Sequence, residues 1–233
     1  MKKYLFLLLI IAGLSYGKIG QALNFDGVND RVSTPLQLST TAFTVSFWMK
    51  GQPVGNDAFL IQDTSGTADI ALLYISADNA FSYQNQLQTL DVLSGWNYTF
   101  DNNWHHIVMV EPYVGSDVDN ASMYIDGVLI TSKYAGTEQN GGVSNLQIGA
   151  RIDGSFPYGG IIDDFRVYNR ALSAAEVRSL RYGFGIRSGL VGYWRLLGTS
   201  LVHEPDSSGN RNHGTVVGGA TRGALSPALR FRR

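Results

Sequence analysis

The chain has 233 residues, with 18 Lys and Arg against 19 Asp and Glu, and no cysteine. A net charge of −1 at pH 7 offers no electrostatic reason to bind nucleic acid, whose recognition draws on basic surface. Without cysteine neither disulfides nor thiolate zinc sites can form, so stability rests on buried apolar surface, which a chain of this length can supply.

The first seventeen residues read as a secretory signal peptide. Lys2 and Lys3 precede an apolar run from Tyr4 to Leu14, and Ser15-Tyr16-Gly17 places small residues before a cleavage point after Gly17. The run is shorter than the roughly 20 apolar residues of a membrane span, and no other stretch approaches it. An uncleaved N-terminal anchor is the alternative. The mature chain is expected to be secreted, extracellular or periplasmic, with no membrane span.

From residue 22 to about 170 short strands alternate with polar turns. Ala42 to Met49 is β-branched and aromatic, with Phe43, Val45 and Phe47 on one face. Trp104 to Val110 forms a further strand. Ala121 to Ile125 and Val128 to Thr131 flank Asp126-Gly127, a two-residue hairpin turn at positive φ. Ile161 to Tyr168 is the last strand before a helix. That helix opens on a capping box, Ser173-Ala174-Ala175-Glu176; Val177, Leu180 and Tyr182 share a face, and Gly183 closes it. Many strands with apolar faces require two stacked sheets or a barrel.

Several of these segments, in this order, resemble the laminin G-like branch of the concanavalin A-like lectin and glucanase jelly rolls. They are Ala22-Leu23-Asn24-Phe25-Asp26-Gly27 through Val32, Thr44-Val45-Ser46-Phe47-Trp48, Asn103-Trp104-His105-His106-Ile107-Val108, Met123-Tyr124-Ile125-Asp126-Gly127, and Ile162-Asp163-Asp164-Phe165-Arg166-Val167-Tyr168 with Asn169 to Ser173. The resemblance implies an all-β, antiparallel two-sheet jelly-roll sandwich with one short helix. It also shows a departure. Family domains open with a Gly-Leu-Val-Gly-Tyr-Trp strand and an Asp-x-Ser-Gly-Asn-x-Asn-His-Gly loop, which here stand at the far end as Gly189 to Trp194 and Asp206 to Gly214. Residues 1–17 are therefore read as signal peptide, 18–188 as the jelly roll, and 189–233 as displaced opening strands. Three arrangements compete: a circularly permuted sandwich closed by its own tail, strand exchange with a neighbouring molecule, or a fragment of a tandem array. The first is favoured, because an orphan tail would expose Val191, Tyr193, Trp194 and Leu196.

The chemistry-bearing residues point to binding rather than catalysis. Glu111, Glu138, Glu176 and Glu204 are the only glutamates, and none has the paired-carboxylate neighbourhood that glycoside hydrolysis needs. Asp163 and Asp164, adjacent on a strand, should diverge. His105 and His106 diverge likewise and cannot chelate one ion together. Hard oxygen ligands suit calcium, and the resemblance implies a structural Ca²⁺ held by Asp163, Asp206 and Asn210; an Asx turn without an ion is the alternative. Sugar binding is the family's commonest role. Trp96 and Tyr98, then Phe156 and Tyr158, are the candidate sugar-stacking aromatics, while Trp48, Trp104 and Trp194 sit in strand patterns and are assigned to the core. The expected partner is a carbohydrate or cell-surface glycoconjugate, bound without catalysis. A structural or assembly subunit that self-associates through its C-terminal strands is the second reading, and a glycoside hydrolase-like enzyme the third.

Overall fold

The computed structural model describes residues 21–38, 41–51, 58–64, 69–75, 80–85, 101–112, 121–130, 145–197 and 202–225. In chain order the strands are β1 (Gln21–Asp26), β2 (Arg31–Ser33), β3 (Phe43–Gly51), β4 (Ala58–Thr64), β5 (Asp69–Ile75), β6 (Ala80–Asn85), β7 (His105–Glu111), β8 (Ser122–Ile125), β9 (Val128–Ile130), β10 (Leu146–Ile148) and β11 (Gly159–Tyr168). Then come helix α1 (Ala174–Arg181) and strands β12 (Leu190–Trp194), β13 (His203–Glu204), β14 (Gly214–Val217) and β15 (Thr221–Leu225).

The strands form two antiparallel sheets, the jelly-roll sandwich expected from the sequence. One runs β15-β1-β11-β3-β7-β8-β9, with β12 also on β11; the other runs β13-β14-β2-β10-β4-β5-β6. The C-terminal strands pair inside this framework. β12 continues the edge of β11 past the end of β1, with Phe165 opposite Trp194; β14 lies against β2 and β15 against β1.

Alternation decides which side chains meet between the sheets. Phe43, Val45, Phe47 and Met49 of β3 and Ile107 and Met109 of β7 turn inward, joined by Leu23, Phe25, Val32, Ile148, Trp194 and Val216. The other face of β7 is also apolar: Val108 and Val110 pack with Tyr124, Tyr168 and Leu172 under Val177 and Leu180 of α1. The strand therefore reads as a continuous apolar run, because both its faces are covered.

The helix ends as its sequence dictates. Ser173 and Glu176 make both halves of the capping box. Gly183 (φ 79) donates its N–H to Leu180 O, and Phe184 donates to Ser179 O, a Schellman closure. Tyr182 departs from the expected apolar face: it is the C-cap residue and stands exposed, because the helix stops before the periodicity reaches it. The Asp126-Gly127 turn has both residues at positive φ (55 and 77), the primed geometry that matches strand twist.

β11 carries one irregularity at its centre. Asp163 pairs with Trp48 but Arg166 pairs with Ser46, so Asp164 and Phe165 together face Phe47. This β-bulge, with Asp164 at φ 55, resets the alternation and lets both Ile162 and Phe165 point into the core. No helix among the described residues is long and apolar enough to cross a membrane.

Candidate functional site

Three loops meet at one end of the sandwich: residues 27–30 between β1 and β2, 149–158 between β10 and β11, and 218–220 between β14 and β15. A Cβ built at Gly154 would lie 3.4 Å from Arg31 Nη1 and 3.6 Å from Asn29 Cβ. One at Gly218 would lie 2.6 Å from both Asn29 Oδ1 and Asp30 Oδ1, so only glycine lets the third loop close on the first.

The 149–158 loop is stapled from within. Tyr158 N–H donates to Gly149 O at 2.7 Å, Arg151 N–H to Ser155 O at 3.1 Å, and Gly154 N–H to Arg151 O at 2.9 Å. Asp153 Oδ1 accepts from Ser155 N–H and Oγ–H at 2.9 and 2.6 Å. These bonds, the side-chain one foremost, hold the Asp153 carboxyl below its ordinary pKa. Phe156 is turned outward at the tip, 44% exposed and at φ 50, a conformation that is uncommon for a bulky residue and clusters at functional sites. The Arg151 guanidinium carbon lies 6.0 Å from the centre of its ring. Exposed Ile152 and Val28 belong to the same loops.

Tyr158, expected beside Phe156 on the surface, has no exposed area. Its ring packs 6.3 Å from Phe25 and its hydroxyl donates to Lys50 O at 3.1 Å. It pins the loop and offers no face for stacking. Trp96 and Tyr98 lie outside the described residues. Trp48 and Trp194 are buried as expected, but Trp104 is only half-buried.

The Asp206 loop is closed by its own hydrogen bonds. Oδ1 accepts from Tyr193 N–H at 2.9 Å and Ser208 N–H at 2.8 Å; Oδ2 accepts from Ser208 Oγ–H at 2.8 Å and Asn212 N–H at 2.9 Å. Burial pushes this carboxyl up, but the bonds from Ser208, Tyr193 and Asn212 outweigh it and keep the pKa low. Asn210 turns its amide nitrogen to Leu190 O and Ser208 Oγ. With two donors on each carboxylate oxygen, the lone pairs that would hold a cation are spent. Asp163 is buried, close to Glu204, and the described residues contain no group of three or more acidic or histidine side chains suited to a metal. The residues present do not fit the calcium site that the resemblance implied. Millimolar Ca²⁺ is accordingly expected to leave Tm unchanged within a degree in a thermal-shift titration, because a ligand stabilises only by binding the native state. A rise of several degrees, abolished by Asp206→Asn, would restore the calcium reading.

Asp163 and Asp164 have different partners, with Asp164 standing in the bulge. Asp164 accepts two bonds from Arg166 Nη2, at 3.1 and 2.9 Å, and one from Tyr193 O–H at 2.8 Å. The Arg166 guanidinium carbon lies 4.7 Å from the centre of the Tyr193 ring. Asp163 instead lies near Glu204, whose carboxyl is pushed up to about 7, by burial first and by the charge of Asp163, against the amides of Leu196 and Leu197 and the charge of Arg195. The two histidines separate as well. His106 is buried, 2.9 Å from Ser46 Oγ, and burial depresses it to about 4. His105 sits between Asp126 Oδ2 at 2.8 Å and Asp101 Oδ1 at 3.1 Å. These groups are structural ties, away from the loop rim.

Sequence reasoning found Phe156 but missed Val28, Arg31, Arg151 and Ile152, which come together only when three distant loops meet. The one sequence signal was glycine, at 154, 218 and 219.

A two-sheet antiparallel sandwich with one clasping helix and an exposed aromatic on a loop rim defines a lectin-like jelly roll. The chain belongs to the Laminin_G_3 family, of the concanavalin A-like lectin/glucanases superfamily, whose model matches residues 26–178. No curated protein matches it. Among solved structures it is similar to a "putative carbohydrate binding protein" from Bacteroides ovatus, at 17% identity and TM-score 0.60, over 90% of this chain and 61% of that one. It thus spans about three fifths of that protein. Domain 4 of AbnA, an extracellular arabinanase from Geobacillus stearothermophilus solved with arabinotriose, is similar at 23% identity and TM-score 0.55, over 71% of this chain and 78% of that one. A Trypanosoma rangeli sialidase aligns with 69% of this chain but only 27% of its own, at 18% identity and TM-score 0.48. At these identities the structures establish the fold alone, and the sialidase carries no argument.

Proposed function

We propose that this protein is an exported, non-catalytic carbohydrate-binding module that holds its ligand at the rim built by the 27–30, 149–158 and 218–220 loops. The observation that carries this reading is Phe156, an aromatic ring held outward at positive φ on a loop fastened by its own backbone hydrogen bonds. Stacking of an apolar sugar face on such a ring, with polar groups around it, is how a preformed site gains affinity without chemistry. The similarity to a structure named for carbohydrate binding and to an arabinanase domain solved with arabinotriose supports the reading. Cleavage of residues 1–17, and residues 189–233 completing the same sandwich as 18–188, belong to the same proposal.

The test is a glycan array followed by titration calorimetry on the best hit. Phe156→Ala is expected to weaken binding at least tenfold, about 1.4 kcal/mol, with Tm unchanged, since an exposed side chain adds little to stability. A well-folded wild type that binds no glycan would remove the proposal.

A further inference from the structure

β7 opens on a histidine whose two ring nitrogens both face carboxylates. His105 Nδ1 lies 2.8 Å from Asp126 Oδ2, and Nε2 lies 3.1 Å from Asp101 Oδ1. A neutral imidazole carries one N–H and one lone pair, so it can donate to only one of two such acceptors. Both contacts are hydrogen bonds only in the imidazolium. The ring therefore joins two segments while it holds its second proton. One is the 101–104 bend before β7, where Asp101 also accepts from the Asn103 backbone N–H at 2.8 Å and its side-chain amide at 2.7 Å. The other is the Asp126-Gly127 hairpin turn.

The two carboxylates are not equivalent. Asp126 is the less exposed, 26% against 42% for Asp101, and the more firmly held. Its Oδ1 accepts from His106 N–H at 3.2 Å and lies 3.3 Å from Arg181 Nη1 of α1. Arg181 also donates to Asp126 O, and Arg178 packs beside it over Gly127. His106, next along the strand, bonds Ser46 instead, and burial keeps it neutral down to about 4. Both carboxylates stay ionised wherever His105 titrates. The Asn103 side chain and backbone, foremost, bring Asp101 down to about 2. Burial raises Asp126, but the bonds from His105 and His106 and the charge of Arg181 outweigh it and leave it lowered.

We infer that His105 is a proton-operated latch: protonated, it fastens the 101–104 bend to the β8–β9 turn and, through Asp126, to α1. Deprotonated, it keeps Nδ1–H on Asp126, turns the lone pair of Nε2 to Asp101, and lets the 101–104 bend go. Burial works against the charge on His105, but the bonds to Asp126 and Asp101 outweigh it and raise the pKa above the ordinary 6.5. The stability the latch contributes is therefore complete below about 6.5 and is lost as pH rises through the raised folded value.

The test is an NMR titration of the full chain from about pH 5 to 9, following the His105 ring nitrogens and the Asn103 amide. His105→Gln assigns the ring among the four histidines. The ring is expected to titrate above 6.5 and to leave the Nδ1–H tautomer, with the Asn103 amide shifting at the same midpoint. Asp101→Asn should lower the midpoint by roughly half a pH unit, the size of an exposed ion pair. The gap in Tm between wild type and this variant should close as pH rises. A midpoint at or below 6.5, the Nε2–H tautomer, or an Asn103 amide indifferent to the titration overturns the latch. A Tm gap that stays constant with pH does so too, because it marks a tie that no proton operates.

Discussion

Trp194→Ala is expected to destabilise the fold by about 3–5 kcal/mol, the range for truncating a buried aromatic, and to lower Tm on the order of 10 °C. Trp194 has no exposed area. Its ring lies 6.1 Å from that of Phe165, its indole N–H donates to Asn212 O at 2.9 Å, and it folds back over Gly192, where a Cβ would come within 2.4 Å of it. Truncation would open a large cavity and leave Asn212 O without its donor. The measurement is denaturant unfolding followed by tryptophan fluorescence, with Trp104→Ala, at a half-buried position, as a control of smaller effect. The residue also tests the displaced opening strands: if 190–225 were a loose appendage, the change would cost less than about 1 kcal/mol, within the usual range for surface substitutions. Light scattering on the same samples separates closure within one molecule, which gives a monomer, from strand exchange, which gives larger species.

Glu204→Gln is expected to stabilise the protein at alkaline pH by about 3 kcal/mol, the size of a shift from 4.5 to about 7 at 1.4 kcal/mol per pH unit. The folded pKa is raised above the unfolded one. The advantage of holding this carboxyl neutral is therefore complete below about pH 4.5, fades as pH climbs, and is lost once pH passes about 7. Above that point the folded protein carries a buried charge beside Asp163. Glutamine keeps an oxygen for the Leu196 and Leu197 amides and replaces the repelling oxygen with a donor. Urea unfolding at pH 5 and pH 8 should show the variant and wild type close at the lower pH and separated at the higher. His106, with its depressed pKa, works in the opposite sense, costing stability as pH falls from 6.5 toward about 4, so the difference between the two proteins carries the information. Equal separation at both pH values would sink this account.

Local signals in the sequence translate directly into structure, and distant ones do not. The capping box at Ser173, the Asp126-Gly127 turn and the alternation of Phe43, Val45 and Phe47 are set by neighbours within a few residues, and each stands in the structure as expected. Tyr182 departs because helix periodicity does not say where the helix stops. Tyr158 departs because a loop aromatic gives the same sequence signal whether it faces water or a sheet; here the close approach of Phe25 and the Lys50 carbonyl decides the matter. Asp206 stands out in the sequence, yet its surroundings suit a cation and a hydrogen-bonded turn equally. Four donors, two of them from residues 193 and 212, settle it toward the turn. Arg31 and Arg151 are invisible as a pair, since 120 positions separate them in the sequence.

The pairing of β1 with β15 sets Gln21 opposite Leu225, and β2 finds β14 only across almost the whole chain. During synthesis β1 and β2 can pair first with β11 and β10, but the other edge of each must wait until β15 and β14 emerge. Contacts so distant along the chain make folding slow, because loop-closure entropy must be met before such pairings stabilise anything. Under the proposed export such a delay would have a use: it would keep the chain open, and threadable, until most of it has been made.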